Sequence, residues 1–369
     1  MVTISLCMIV RDEEGTLSRC LDSVKDIVDE IIIVDTGSVD NTKEIAKKYT
    51  SKIYDFQWID DFSAARNYSF SKATKDFILW LDADDVILEK DRIKLKALKE
   101  KLDASIGMVM MQYNLGSDIE GKPLCTYYRE RLVNRSLNFQ WHDPVHEYLI
   151  PAGKILKVDI AVTHRKEKKR TSRNLDIFEK WIKSGKELSH RNYFYYAREL
   201  NGQKKYLEAV KYYEKFLAQE GGLFSNYIDA CIDLSKIYAR LVGTKKAVRT
   251  LLRAFEFGVP RAEICCELGR LYSKEQDYER AIAWFQVATN LEKPKNSIGS
   301  VIHDCYDYFP YAEMSICYFK LGNIKAAIEC NEKAAQFKPY SKVVQNNRRY
   351  FNSILKSSKE ILNSSQPQA

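Results

Sequence analysis

The sequence predicts an α/β N-terminal domain with a Rossmann-like, mostly parallel sheet, followed by an all-α domain of helical repeats. Apolar, β-branched runs alternate with amphipathic stretches up to about residue 165, and from about residue 175 only amphipathic helices follow. The chain has 369 residues, of which 45% are hydrophobic, which is enough for two or three domains with packed cores. With only 15 glycines and 8 prolines, a loop-rich all-β fold is disfavoured.

The N-terminal part begins with strands that each end in polar residues. The runs Ile4–Val10, Glu30–Val34 and Phe77–Leu81 are apolar on both faces, as in parallel strands that helices cover on both sides. Amphipathic stretches at 17–28 and 42–49 predict the helices that follow the first two strands. The polar clusters should therefore meet at the carboxyl edge of the sheet, where open α/β sheets bind ligands.

Shorter strands, such as 108–113 and 155–164, are predicted for the next part of the chain. The strongly basic stretch 165–173 follows, either as a solvated linker or as a loop that closes over a ligand. These features predict an α/β domain at 1–165, a basic linker at 166–174 and a helical domain at 175–369.

The helical half contains a repeated pattern, an alanine before Val or Ile near the start of a second helix. It recurs at Ala209, Ala247, Ala281 and Ala327. The intervals are 38, 34 and 46 residues, and Gly202, Gly243 and Gly322 lie near the turns between helices. The pattern resembles tetratricopeptide repeats, whose period is 34 residues. A small alanine lets two helices approach closely, so we assign these positions to packing and not to catalysis.

Composition limits the environment and the partners. The formal net charge is +8, which fits an anionic ligand, but there is no distributed basic face with interleaved aromatic residues for nucleic acid. The nine cysteines lack metal-ligand spacing and are interpreted as reduced and mostly buried. Neither a membrane-spanning run nor an export signal is recognisable, so we expect a cytoplasmic protein with no transmembrane segment.

Two acidic clusters at strand ends require a chemical explanation. One begins at Asp35, and the other is Asp82-Ala83-Asp84. Carboxylates gathered at one sheet edge repel each other unless a cation or hydrogen-bond donors lie among them. Hard oxygen ligands suit Mg²⁺ or Mn²⁺. The alternative is that Asp82 and Asp85 cap the next helix or form a turn.

Four segments in order resemble a family 2 glycosyltransferase of the GT-A type: 34–42, 58–67, 82–85 and 141–147. The second and the fourth, Trp58–Asn67 and Trp141–Glu147, resemble a narrower branch that joins the catalytic domain to helical repeats. Bacteriocin-modifying S-glycosyltransferases are among the relatives of that branch. The resemblance implies a UDP-sugar as donor, a divalent cation (Mg²⁺ or Mn²⁺) as cofactor and a single displacement that inverts the anomeric carbon.

The resemblance also implies a nucleotide pocket. Val10 and Glu13, at the end of the first strand, would line it, and the carboxylate of Asp35 would accept a hydrogen bond from the uracil base. Asp82 would face the ribose. Arg66 would contact phosphate or support the metal-binding carboxylates, with a purely structural ion pair as the alternative.

The same resemblance implies metal ligands and a loop that closes over the substrate. Asp84 would bind the metal that bridges the diphosphate, and His164 would supply a late histidine ligand, unless it is a plain strand-end histidine. Arg170 and Arg173, with Asn174, would form a flap that closes over the diphosphate and excludes water.

Transfer also needs a base near the anomeric carbon. Glu147 is the candidate, Asp143 is the runner-up, and His146 belongs to the same segment. Considered singly, His142 and His146 are more typical of structural positions.

We expect the helical repeats to present the acceptor, a peptide or protein side chain, or to form a homodimer contact. Acceptors among cell-envelope saccharides or lipid-linked molecules stay open. The alternative from another class is a non-catalytic scaffold with a relic nucleotide domain. A nucleotidyltransferase ranks third, because an early glycine-rich phosphate loop is missing.

Overall fold

The computed structural model describes residues 1–167, 171–295 and 297–364, and the chain forms two compact units. The first unit contains Met1–Ser117 and Cys125–Tyr212, with a short segment that ends at Ser300. The second contains Asp118–Leu124, Tyr213–Lys295 and the chain from Val301 onward.

The first unit is organised around one sheet. Its strands are β1 (Ile4–Val10), β2 (Glu30–Asp35), β3 (Ile53–Asp55), β4 (Phe77–Trp80), β5 (Asp85–Ile87), β6 (Ile106–Ser117), β7 (Pro123–Asn134) and, later in the chain, β10 (Lys154–His164). Between them, β8 (Trp141–His142) and β9 (Tyr148–Leu149) form a separate antiparallel pair. The spatial order is β3-β2-β1-β4-β7-β6-β10-β5. The pairs β1–β2, β1–β4, β2–β3 and β6–β10 are parallel, and β4–β7 and β5–β10 are antiparallel, which confirms the predicted mostly parallel sheet.

The first four helices of the first unit connect strands of the sheet, and its last two follow β10. These helices are α1 (Leu17–Asp22), α2 (Thr42–Ala46), α3 (Phe62–Ser71), α4 (Glu89–Lys101), α5 (Arg173–Lys183) and α6 (His190–Gly202). The first helix is shorter than its apolar periodicity predicts, because the chain continues after Asp22 in turns such as Val24 N–H to Leu21 O. Side-chain caps begin α3 at Asp61 and α6 at Ser189, where they satisfy backbone N–H groups.

Both faces of the sheet are covered, which explains the uninterrupted apolar strands. Leu6 and Met8 of β1 pack with Leu17 on one face. The intervening Cys7 packs with Trp80 on the opposite face. Successive side chains of a strand point to opposite faces, so each face contributes its own core, and polar residues are left for the strand ends.

The second unit consists mainly of consecutive helices that pack in pairs. After α7 (Tyr206–Leu217), which crosses the division between the units, come α8 (Phe224–Leu241), α9 (Thr244–Leu252), α10 (Ala262–Lys274), α11 (Tyr278–Asn290), the two-residue strand β11 (Val301–Ile302), α12 (Tyr308–Lys320), α13 (Ile324–Phe337) and α14 (Lys342–Ser364). Ala247, Ala281 and Ala327, each in the second helix of a pair, are fully buried. The predicted all-α repeats in the C-terminal half are confirmed.

Neither disulfides nor membrane spans occur in the described ranges. All nine cysteines are free thiols, and all but the half-buried Cys125 are buried. Among these residues, no helix has the length and apolar character that crossing a bilayer requires.

Candidate active site

The acidic turn after β4 is closed by its own hydrogen bonds. The backbone N–H of Asp82 donates to Oδ2 of Asp85 at 3.0 Å, and the N–H of Asp85 returns to the carbonyl of Asp82 at 3.0 Å. Asp84 lies at the outer side of this turn with 22% of its side chain exposed, and its carbonyl accepts the N–H of Arg165 at 2.9 Å.

His164 lies beside this turn because β10 pairs with β5. In that antiparallel register His164 is opposite Asp85, and its Nδ1 is 3.3 Å from Oδ1 of Asp84. Burial lowers the pKa of His164, but the two neighbouring carboxylates outweigh burial and raise it to about 9. The structure thus brings together the two residues that the sequence predicts as metal ligands, although 80 positions separate them.

The donor set fits a divalent cation. Asp84, Asp85 and His164 each offer one ligand atom, and these atoms lie within 4.8 Å of one another. Carboxylate oxygen with one imidazole nitrogen suits Mn²⁺ and, with water and phosphate oxygens, Mg²⁺.

Arg66 of α3 joins two of the predicted functional carboxylates. Its Nε donates to Oε1 of Glu147 at 2.6 Å, and its Nη2 donates to Oδ1 of Asp82 at 2.8 Å. The guanidinium lies 4.7 Å from the ring centre of Trp80 and 5.1 Å from that of Trp141. The aromatic surroundings and the two bonds hold the fork of Arg66 in one orientation.

This ion-pair network keeps both carboxylates charged. Burial raises the pKa of Glu147, but the charge of Arg66 and its hydrogen bond lower it by more, so the net pKa lies below the usual value. The pKa of Asp82 is likewise lowered, since Arg66 and Arg131 outweigh burial. Glu147 is therefore ionised at neutral pH and able to accept a proton.

The segment between β8 and β9 carries the other candidate bases, and it is anchored on α6. Asp143 and His146 have positive φ angles of 68° and 56°. Oδ2 of Asp143 accepts from Nδ2 of Asn192 at 2.8 Å and from Nη1 of Arg191 at 3.2 Å. Two side chains of α6 thus donate hydrogen bonds to the carboxylate of Asp143.

His146 is held by the same helix. Its Nε2 is 2.9 Å from Oε1 of Glu199, and its ring stacks on Tyr195 at 4.3 Å between centres. Glu147, the next residue, is instead paired with Arg66. The structure thus places the three candidates of this segment against different partners.

The predicted nucleotide residues lie at the ends of β1 and β2. Val10 is opposite Asp35 in the strand register. Oδ1 of the buried Asp35 accepts the N–H groups of Gly37 and Ser38 at 2.9 Å, whereas Oδ2 is buried without a hydrogen-bond partner. Glu13 accepts a bond from the hydroxyl of Thr16 at 2.7 Å. The second oxygen of Asp35 is an acceptor that a ligand N–H would satisfy.

The structure describes part of the basic stretch 165–173. Arg173 begins α5, its guanidinium lies 4.7 Å from the ring centre of Phe62, and its charge interacts with those of Glu13, Glu147 and Asp82. Arg170 falls outside the described residues.

Strand β7 contributes arginines that the sequence did not single out. Arg129 and Arg131 lie 5.0 and 3.9 Å from the ring centre of Trp80, and Arg131 forms a fully buried ion pair with Asp85 at 3.0 Å. The three consecutive charges Arg129-Glu130-Arg131 within a strand were an available signal, because a charge that is directed into a core requires a partner.

Two parts of the chain match known families. Residues 5–164 match the family described as Glycosyl transferase family 2. Residues 262–357 match the Prolyl 4-hydroxylase peptide-substrate-binding domain, a family of TPR type.

Individual relatives match parts of the chain. A TPR repeat-containing protein of Synechococcus elongatus is 40% identical over 152 residues, which are 41% of this chain and 37% of that protein. The SPbeta prophage-derived glycosyltransferase SunS of Bacillus subtilis is 30% identical over 230 residues, which are 58% of this chain and 53% of that protein. The chain thus spans about half of the length of one relative and less of the other. Among solved structures, a MamA mutant (D159K) is 14% identical, over 47% of this chain and 87% of that chain, with a TM-score of 0.35.

Proposed function

We infer that this chain, whose residues 5–164 form a family 2 glycosyltransferase domain, transfers a hexose from a UDP-sugar to an acceptor with Mg²⁺ or Mn²⁺ as cofactor. The observation that carries the proposal is the pair of hydrogen bonds that Arg66 donates to Glu147 and to Asp82. It places Glu147, the proposed base, next to Asp82 of the acidic turn, where the metal candidates Asp84 and His164 also lie.

The nucleotide end of the donor is assigned to the ends of β1 and β2. We propose that the unsatisfied Oδ2 of Asp35 accepts the N–H of the uracil base, which removes the cost of a buried acceptor without a donor. Val10 is opposite Asp35 in the strand register. In this assignment Glu13 also lines the pocket, and Asp82 faces the ribose.

Asp84 and His164 are the residues that would hold the cation at the diphosphate. A divalent cation there supplies positive charge to the leaving group. Arg173 would add a second positive charge on the same side of the site, because its charge already acts on Asp82, Glu13 and Glu147.

Glu147 is the proposed base. Its carboxylate takes the proton of the acceptor nucleophile while that atom bonds to the anomeric carbon, and the carbon–oxygen bond to the diphosphate breaks, so UDP leaves with the electron pair. Inversion at that carbon follows from a single displacement of this kind. Since Arg66 lowers the pKa of Glu147, the base is weak, and we expect the acceptor to supply an acidic proton or to weaken that ion pair on binding.

A peptide or protein side chain is the proposed acceptor. The match of residues 262–357 to a peptide-substrate-binding domain supports this class. We also propose the division into a catalytic domain at 1–165, a connecting loop at 166–174 and a helical domain that binds the acceptor or a second copy of the chain.

The test is transfer in vitro. Purified protein is incubated with UDP-hexoses, Mn²⁺ and cysteine-, serine- or asparagine-containing peptides, and mass spectrometry reads a mass gain of one hexose. We expect EDTA and Asp84→Asn to abolish the gain, while the circular dichroism of the variant stays that of the parent. Transfer that survives EDTA would disprove the metal role, and transfer to saccharides or lipids alone would disprove the peptide acceptor.

A further inference from the structure

We propose that Asp85 is a positioning residue of the metal site and that Asp84 and His164, not Asp85, contact the cation. The inference rests on the proposed function, because it assigns a task within the same site. All three residues offer ligand atoms within 4.8 Å of one another, so proximity alone does not separate their roles.

One oxygen of Asp85 is occupied by the main chain and an arginine. Oδ2 accepts the N–H of Asp82 at 3.0 Å and pairs with Nη1 of Arg131 at 3.0 Å. The side chains of Asp85 and Arg131 are both 0% exposed, and Arg131 is stacked between the rings of Trp80 and Tyr113. The pair is therefore part of the core, and its bond to Asp82 ties the acidic turn to that core.

The other oxygen is occupied as well. Oδ1 accepts the hydroxyl of Tyr113 at 2.9 Å and lies 3.4 Å from Nδ1 of His164. A carboxylate has about four lone-pair sites, and four groups approach those of Asp85. A cation would have to displace one of them from a fully buried position, whereas the carboxylate of Asp84 is 22% exposed.

This arrangement resembles the outer contacts that orient metal ligands in proteins. A histidine ligand commonly donates its other ring N–H to a carboxylate, and loss of such an outer partner lowers metal affinity about 10–100-fold. Asp85 reaches both ligands. Its Oδ1 faces Nδ1 of His164, so in this proposal Nε2 is the ring nitrogen left for the cation. It reaches Asp84 through the turn that the bond from Asp82 closes. Tyr113 and Arg131 in turn hold Asp85.

The test is Mn²⁺ affinity in the presence of UDP, measured by calorimetry and by the electron paramagnetic resonance signal of free Mn²⁺. Tyr113→Phe removes the hydroxyl bond to Asp85 and leaves the Asp85–Arg131 pair intact. Tyr128→Phe is the matched control, since its hydroxyl bonds to Gln112 and not to this network. Asp84→Asn removes a proposed ligand.

We expect the Mn²⁺ dissociation constant to rise about tenfold in Tyr113→Phe, to stay within twofold in Tyr128→Phe and to become unmeasurable in Asp84→Asn. Thermal unfolding verifies that each variant is folded. Equal affinities of Tyr113→Phe and Tyr128→Phe, with Mn²⁺ bound by the parent, would overturn the role of Asp85 and leave the proposed function standing. A parent chain that binds no Mn²⁺ with UDP would overturn the metal site itself and this inference with it.

Discussion

Arg66 donates from Nε to Glu147 and from Nη2 to Asp82, at 2.6 and 2.8 Å. The first bond links residues 81 positions apart, and only 8% of the Arg66 side chain is exposed. A planar fork with donors on two sides can satisfy both carboxylates at once, which a lysine ammonium on a flexible chain does not reproduce. Arg66 therefore sets the distance between the acidic turn and the proposed base.

We predict that Arg66→Lys lowers kcat for sugar transfer about 100-fold, because a displacement of Glu147 by about 1 Å is enough for such a loss. The free energy of unfolding should fall by about 3 kcal/mol, since a buried carboxylate loses its partner. Steady-state kinetics and urea unfolding measure the two effects. Arg92→Lys is the control and should keep kcat, because Arg92 lies on α4 and its Nη2 donates to both carboxylate oxygens of Asp26. An unchanged kcat in Arg66→Lys would make Arg66 purely structural.

Glu147→Gln and Asp143→Asn separate the two candidate bases. Glu147→Gln should lower kcat by about 100-fold or more with little change in UDP binding, because general base catalysis is lost. Asp143→Asn should lower kcat less than about tenfold but weaken the bonds to Arg191 and Asn192, with a loss of about 1–2 kcal/mol in unfolding free energy. Single-turnover rates and UDP calorimetry test both. The reverse order of kcat losses would assign the base to Asp143.

Glu30 predicts an acid-sensitive contribution to stability. Burial raises its pKa, but bonds from Lys52, Ser5 and Thr74 outweigh burial and lower it from 4.5 to about 2. A carboxylate whose pKa is lowered in the folded state stabilises the fold fully at pH values above its unfolded-state pKa. This stabilisation is lost as the pH falls from about 4.5 toward about 2. We expect Glu30→Gln to cost about 3 kcal/mol at pH 7 and almost nothing near pH 2.

Urea unfolding of parent and variant across that pH range measures the difference. Glu44→Gln, in the exposed pair with Lys47, is the control and should change stability by less than about 0.5 kcal/mol at any pH. A difference for Glu30→Gln that does not depend on pH would show that its effect comes from shape and not from charge.

Gly269→Ala tests the close packing of α10 and α11. A Cβ at this position would lie 2.6 Å from Cε1 of Phe285, whose side chain is fully buried. We expect a loss of about 1–2 kcal/mol in unfolding free energy, because overpacking exceeds the gain in helix propensity. The substitution should cost less in a Phe285→Leu background, which a double-mutant cycle measures. Equal costs in the two backgrounds would refute the steric explanation.

Local patterns in the sequence determined much of the fold. The runs at β1, β2 and β4 are apolar at nearly every position, and this pattern depends only on burial on both faces, so their positions could be predicted without knowledge of their neighbours. The alanines of the repeats, such as Ala247 and Ala281, could be predicted in the same way, since a close helix contact leaves a small residue at a fixed place. Acidic residues at strand ends also predicted which edge of the sheet carries the chemistry.

The tertiary structure alone decided which side chains meet. Arg66 bonds to Glu147, His146 bonds to Glu199, and Arg131 enters the site from a strand that local periodicity did not mark as functional. Such pairings depend on the order of strands in the sheet and on the packing of α6, which bring together residues 46 to 81 positions apart. A residue's own neighbours in sequence determine whether it is buried in a strand or helix, but the electrostatic partner that a buried charge requires comes from a distant part of the chain.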